Sequence, residues 1–221
     1  KYDQMKFLIT TFLSSILCLT TFATAQYPDK IFYDGKEYSL HTNPLESYFE
    51  KNPDKRPKGS IMSSALWRGY VATFEMRDSQ LFVKDIQVQY WDTTDKNNYD
   101  TKWKTVMTEV FPDKKNVKVD WLSGLLVLPF GKLVNCVHMG YGSTYENYFL
   151  LEIDKGNFIK SKQFDYKNYE IFKDKQFLAY KKTEAYKETK ATLKKDGSTD
   201  EFIDSFLRSF VTEYTSRILT N

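Results

Sequence analysis

Cysteine is nearly absent from this chain of 221 residues: there are two, and Cys18 sits in a segment expected to be removed. That leaves Cys136 as the sole thiol of the mature protein, so no internal disulfide staples the fold and the domain has to be held by its core. Histidine is as scarce, with His41 and His138 the only imidazoles. Cys136 and His138 share a face if Leu133 to Met139 is a strand, but a closed metal site needs about four ligands, so no metal and no other cofactor is expected. The pair reads instead as a buried thiol beside a hydrogen-bonded histidine. As nucleophile and base the two stand too far apart, because same-face neighbours on a strand are separated by about 7 Å and direct proton transfer needs about 3 Å. An excess of charge of one sign is missing too: 32 basic against 29 acidic residues give a net charge of +3, with both signs interspersed. Nothing resembles the basic stripe that neutralising a phosphate backbone requires, which argues against nucleic acid as a partner.

A long apolar run occurs once, near the N-terminus. Lys6 supplies a positive flank, Phe7 to Phe22 carries no charge, and Ala23-Thr24-Ala25 gives the small-x-small pattern of a secretory cleavage site. Cleavage after Ala25 leaves Gln26 at the mature N-terminus, with Met5 as the translation start. The run is shorter than the roughly 20 residues a spanning helix needs, and Cys18 follows Leu17 rather than a small residue, so neither a membrane anchor nor a lipid anchor is expected. The expected product is a periplasmic or secreted protein, a single domain over residues 26–221.

Aromatic residues are plentiful, with 17 Phe, 16 Tyr and 4 Trp, enough to fill a large core. Two readings account for them. Exposed Tyr and Trp rings stack on sugar faces, whereas an AT-rich coding sequence enriches Phe, Tyr, Asn and Lys with no functional consequence; the excess of Lys over Arg favours the second.

The pattern predicts an α+β fold, a mostly antiparallel sheet built from hairpins. Asp34-Gly35 turns a first hairpin between Ile31–Tyr33 and Lys36–Leu40. Asn43 as N-cap and Pro44 in the first turn start a short N-terminal helix over Leu45–Lys51 that Pro53 ends. Ala65–Met76 and Gln80–Tyr90 form a second hairpin. Trp103, Val106, Met107 and Val110 recur at helical spacing up to Pro112, which predicts a mid-chain amphipathic helix. Val117–Leu122 and Leu125–Leu128 read as strands, the latter buried on both faces because it lacks alternation. Tyr148–Ile153 and Phe158–Phe164 form a last hairpin. Lys173 to Lys195 reads either as a solvated helix or as an excursion from the fold. Ser198 with Glu201 makes a capping box, and the stripe Phe202, Ile203, Phe206, Leu207, Phe210, Val211, Tyr214 predicts a C-terminal amphipathic helix packed on the sheet.

Chemistry concentrates between Gly131 and Glu146. His138 with Tyr141, Glu146 or Asp120 is the candidate acid-base set, provided that the loop from Gly140 to Ser143 folds back over the strand end. Gly140 and Gly142 beside Ser143 are the candidate anion nest, against the plainer reading of a tight turn. Arg68, on a strand between aromatics, either reaches a ligand or pairs with a carboxylate across the sheet. Leu66-Trp67-Arg68-Gly69-Tyr70, Leu81 to Ile86, Asp120 to Gly124 and Gly131 to Glu146 together resemble a group of uncharacterised bacterial proteins sharing this order of strands, over roughly Leu66 to Ile153. The resemblance implies a bacterial origin and a β-rich core, and carries no functional residue over. With an export signal and no complete catalytic motif, the leading expectation is a non-enzymatic domain that binds a partner protein or a cell-envelope component. The alternatives are a small hydrolase-like enzyme using His138, and a glycan-binding module.

Overall fold

The computed structural model describes residues 26–94, 100–112, 116–137 and 140–219. The expected leader and His138 lie outside the described residues.

Among the described residues the chain forms nine strands in one mostly antiparallel sheet and six α-helices. The strands are β1 (Asp29–Tyr33), β2 (Lys36–Leu40), β3 (Val71–Arg77), β4 (Gln80–Asp92), β5 (Asp100–Thr105), β6 (Val117–Lys118), β7 (Gly124–Asn135), β8 (Thr144–Asp154) and β9 (Asn157–Asp165). The order is β2-β1-β3-β4-β9-β8-β7, with β5 and β6 also paired to β4, and β1 with β3 is the parallel pair. The hairpins turn where the sequence places them. Asp34 and Gly35 (φ 48° and 73°), Asp78 and Ser79 (49° and 57°), and Lys155 and Gly156 (48° and 73°) all take the left-handed conformation that two-residue hairpin loops need.

The sheet curls until its edges meet. The His41 N–H donates to Val127 O at 2.9 Å, and Thr42 Oγ1 accepts from Val127 N at 3.1 Å, so the end of β2 is bonded to β7. The far seam is narrow: Gln80 pairs with Asn157, and Leu81 N and Phe158 N donate to Gly156 O and Ser79 O. The interior of this half-closed barrel is one cluster running from Ile31, Phe74 and Ile86 to Leu126, Leu128 and Leu151.

Leu125–Leu128 of β7 is buried on both faces, as its lack of alternation predicts, whereas Gly131–Asn135 is exposed. Leu126 and Leu128 point into the barrel, while Leu125 and Val127 point outward onto Tyr148, Leu150, Tyr169, Phe172 and Ile218. Helices cover that outer face: α1 (Glu46–Lys51) and α2 (Met107–Val110) belong to the barrel, and α3 (Tyr166–Tyr180), α4 (Glu184–Lys195), α5 (Asp200–Ser209) and α6 (Val211–Tyr214) follow it. Lys173 to Lys195 is therefore helical on both sides of a break at Lys181–Thr183, where Thr183 caps α4 by accepting from Tyr186 N.

Four expectations need correction. The mid-chain helix shrinks to the single turn Met107–Val110, because Asp100–Thr105 lies alongside β4 as an exposed edge strand. The short N-terminal helix begins at Glu46 without a side-chain cap, since the Asn43 amide oxygen accepts from Arg68 and Tyr141 instead. The last long helix is capped by Thr199, which accepts from Phe202 N, rather than by Ser198. Its buried residues Ile203 and Leu207 pack on Phe177, Tyr180 and Tyr186 of α3 and α4, so α5 rests on helices and, of the C-terminal stripe, only the part in α6 reaches the sheet.

Beyond α6 the chain runs as an extended strap over the outer face of the sheet. Ile218 N donates to buried Glu152 Oε2 at 2.8 Å, and the buried Gln176 amide grips Thr215 Oγ1, Arg217 O and Leu219 N.

Candidate ligand-binding surfaces

Among the described residues the candidates Glu146, Asp120 and Tyr141 stand in separate places, and His138, with which one of them was to pair, lies outside the described residues. Glu146 Oε2 accepts from Lys132 N at 2.9 Å, tucked against Gly131, whose φ of 83° and missing side chain make room for it. Asp120 sits exposed in the turn before Trp121. Tyr141 lies in a third environment, and no hydrogen bond among the described residues joins it to the other two. Of the nest residues, Gly140 has a positive φ of 53°. Ser143 Oγ donates to Val137 O at 3.1 Å and accepts from Val137 N at 3.0 Å. Cys136, expected to be buried, is exposed, because regular pairing in β7 ends at Asn135.

Arg68 is the exception. It stands in the turn before β3, only 4% exposed, and pairs across the sheet with Asp29, which is fully buried. Its Nη2 donates to Asp29 Oδ1 and to Tyr27 O, both at 3.0 Å, and its Nη1 donates to Asn43 Oδ1 and, at 2.7 Å, to Tyr141 Oη. Tyr141 Oη in turn donates to Asn43 Oδ1 at 2.9 Å. Asp29 Oδ1 also accepts from Ala72 N at 2.9 Å, while Asp29 Oδ2 and Arg68 Nε have no hydrogen-bond partner among the described residues. Burial pushes the Asp29 carboxyl up to about 7, against the opposing pull of Arg68. Asp29 carried no signal in the sequence and Asn43 only that of a helix cap; the partner of Asp29 lies 39 residues away, and those of Asn43 lie 25 and 98 residues away.

In front of this network, two clefts flank the α6 segment, and Thr212 and Glu213 line both. The first, of about 430 Å³, is floored by His41 and Tyr141, whose rings stack at 4.6 Å, and walled by Tyr148, Tyr169 and Phe210. Burial lowers the His41 imidazole to about 4, so it is neutral throughout the physiological range. An NMR titration of the imidazole carbons is expected to show a His41 midpoint near pH 4; a midpoint above 6 would contradict its burial.

A different surface gathers exposed aromatics. Trp67, Trp91 and Trp103 are 51%, 53% and 37% exposed, whereas Trp121 is packed against Tyr48 and Phe111 with its Nε1–H on Pro44 O. The register pairs Gln87 with Thr105, Gln89 with Trp103 and Trp91 with Thr101, and opposite residues of an antiparallel pair share a face. Ile86 and Val88 face the core, so the outward face of the β4–β5 ribbon is a grid of two indoles, two Gln and two Thr, with the Asp85 carboxylate accepting from Thr105 Oγ1 at its end. Tyr27 stands edge-on against Trp103 at 5.9 Å and 73°. Trp67 borders the same end, since its neighbours Ala65 and Arg68 bond Tyr27 N and Tyr27 O.

Among the described residues no group of three or more His, Cys, Asp or Glu is placed to hold a metal ion, and no helix is long and apolar enough to cross a membrane. No family model matches the chain, and comparison with curated proteins and with solved structures finds no match to either.

Proposed function

We propose that this chain is an exported, non-catalytic binding domain that holds a carbohydrate of the cell envelope against the outward face of the β4–β5 ribbon. The observation that carries the reading is the composition of that face. Large aromatic side chains left in water are costly, and a protein interface typically surrounds its aromatics with further apolar area and Arg. Here the indoles of Trp91 and Trp103 are interleaved with neutral amides and hydroxyls. Indole faces cover the C–H faces of a pyranose ring, and Gln87, Gln89 and Thr101 are positioned to exchange hydrogen bonds with its hydroxyls. No hydrogen bond among the described residues engages the amides of Gln87 and Gln89. The leader expected from the sequence would supply the compartment.

The test is co-sedimentation of the purified protein with peptidoglycan and other insoluble polysaccharides, together with tryptophan fluorescence titrations against soluble oligosaccharides. Binding is expected, with Trp91→Ala and Trp103→Ala each weakening it about tenfold, or about 1.4 kcal/mol, at unchanged thermal stability. Retention of affinity in the double variant, or release of reducing ends from any of these glycans, would refute the proposal.

A further inference from the structure

The hydrogen bonding of the β4–β5 ribbon fixes how its two exposed indoles stand to each other. Gln89 O accepts from Ile61 N at 3.0 Å, and Ile86 O accepts from Val106 N at 2.8 Å. The N–H and C=O of one strand residue point to the same side, and the side alternates along the strand. Gln87, Gln89 and Trp91 therefore turn their main-chain groups away from β5, while Ile86, Val88 and Tyr90 turn theirs towards it. Gln89 with Trp103 and Trp91 with Thr101 are thus the non-hydrogen-bonded pairs of the ladder, whose Cα atoms approach to about 4.5 Å and whose side chains lie closest. Trp91 and Trp103 are diagonal neighbours on this face, about 7 to 8 Å apart along the diagonal. That spacing is wider than one pyranose ring, so a ligand that covers both indoles has to present two sugars in succession. The same alternation turns the N–H and C=O of Thr101 and Trp103 onto the outer edge of β5, where no hydrogen bond among the described residues engages them.

The charges of the ribbon are placed against an acidic ligand. Lys102 and Lys104 stand opposite Tyr90 and Val88, on the reverse face, and Lys102 is paired with Asp92. On the tryptophan side the charge at the end of the grid is Asp85, whose carboxylate accepts from Ile86 N and Thr105 Oγ1. We propose that this face selects an uncharged, linear glycan, held as at least two consecutive sugars along the Trp91–Trp103 diagonal, and rejects acidic polysaccharides of the same backbone. The inference rests on the reading of the ribbon as a sugar-binding face and adds which sugars it takes. Two stacking contacts on one chain reinforce each other, because the first holds the second sugar at high effective concentration. The amides of Gln87 and Gln89 and the open main-chain groups of Thr101 and Trp103 both donate and accept, which matches hydroxyl groups. A carboxylate on the sugar meets no cation on this face among the described residues and has to be stripped of water near Asp85, a like charge.

The experiment is calorimetric titration of the purified protein with glucose and cellotetraose, with N-acetylglucosamine and its β-1,4-linked tetramer, and with the C6-carboxylated counterpart of each tetramer. At least one neutral tetramer is expected to bind at least tenfold tighter than its monosaccharide and at least tenfold tighter than its carboxylated counterpart. Trp91→Ala and Trp103→Ala should each remove most of the gain from one sugar to four, a loss confined to the longer ligand that general destabilisation does not produce. The preference against the carboxylate should narrow at least threefold in Asp85→Asn, and in the wild type at about 1 M salt, where the Debye length falls to about 3 Å. Equal affinity for monosaccharide and tetramer, equal or tighter binding of the carboxylated tetramers, a preference that neither salt nor Asp85→Asn narrows, or retention on peptidoglycan with neither neutral tetramer bound would overturn this inference and leave the sugar-binding face standing. Failure of every glycan to bind would remove that face and this inference together.

Discussion

Replacing Arg68 with alanine is expected to cost about 3 to 5 kcal/mol near pH 8, the range found when one partner of a buried ion pair is removed. For a domain of this size that is a fall in melting temperature of roughly 10 °C. The alanine variant leaves Asp29, fully buried, with Ala72 N as its one remaining donor, and strips Asn43 and Tyr141 of a charged donor. The loss should depend on pH. Arg68 is the group that pulls the Asp29 carboxyl down against the larger effect of burial. Without it the carboxyl accepts a proton more readily, and a neutral buried acid costs less than a charged one. The deficit is therefore expected to shrink at pH 5.

In the wild-type protein the folded-state value of about 7 lies above the unfolded value of 3.8, so the contribution of Asp29 is complete below pH 4 and is lost as the pH rises towards 7. His41 runs the other way. Its folded-state value of about 4 lies below 6.5, so its contribution is complete above pH 6.5 and is lost on acidification towards 4. The two slopes oppose each other over the same window, and Asp29→Asn should expose the acid sensitivity that His41 confers. Urea unfolding of the three proteins between pH 4 and 8 measures all of this. An Arg68→Ala variant within 3 °C of wild type at every pH would show that the pair is not held as described.

What the sequence made legible is local. Asp34-Gly35 and Lys155-Gly156 announce their turns because two-residue hairpins demand positive φ at adjacent positions, and Leu125–Leu128 announces burial on both faces by its lack of alternation. Trp103 to Val110 misled because its helical spacing is also compatible with an edge strand followed by one turn, and pairing with β4 decided between them. Asn43 misled for a related reason: a side-chain oxygen has few acceptor sites, and a charged donor 25 residues away took it from the helix terminus. The candidate sites were the least legible part. Arg68 was visible as a buried pairing residue, but its partners arrive from β1, from the β2–α1 connection and from the loop before β8. Trp91 and Trp103 were visible as residues, yet their shared face exists only through the register of two strands whose pairing the sequence did not show.

The widest structural consequence is expected from Gln176→Leu, because this one amide fastens the strap, whose Thr215 and Ser216 line the second cleft. Gln176 Nε2 donates to Arg217 O at 2.6 Å and its Oε1 accepts from Leu219 N at 2.8 Å, while Glu152 Oε2 holds Ile218 N at 2.8 Å. The Arg217–Ile218 peptide bond, a tryptic site by sequence, thus has its carbonyl and its amide both engaged and its Ile218 side chain buried among Leu125, Val127, Tyr169 and Phe172. Proteolysis there requires the strap to lift. Each buried polar group left without a partner costs about 1 to 3 kcal/mol, and the substitution orphans two on the backbone. Because a terminal strap can detach without unfolding the barrel, the penalty falls on the local opening equilibrium rather than on global stability. Trypsin is expected to cut after Arg217 at least tenfold faster in Gln176→Leu than in the wild type, and Glu152→Gln to show a smaller increase. Equal cleavage rates in the two proteins would mean that the strap is held by Ile218 alone, and that the amide is incidental to the cleft the strap borders.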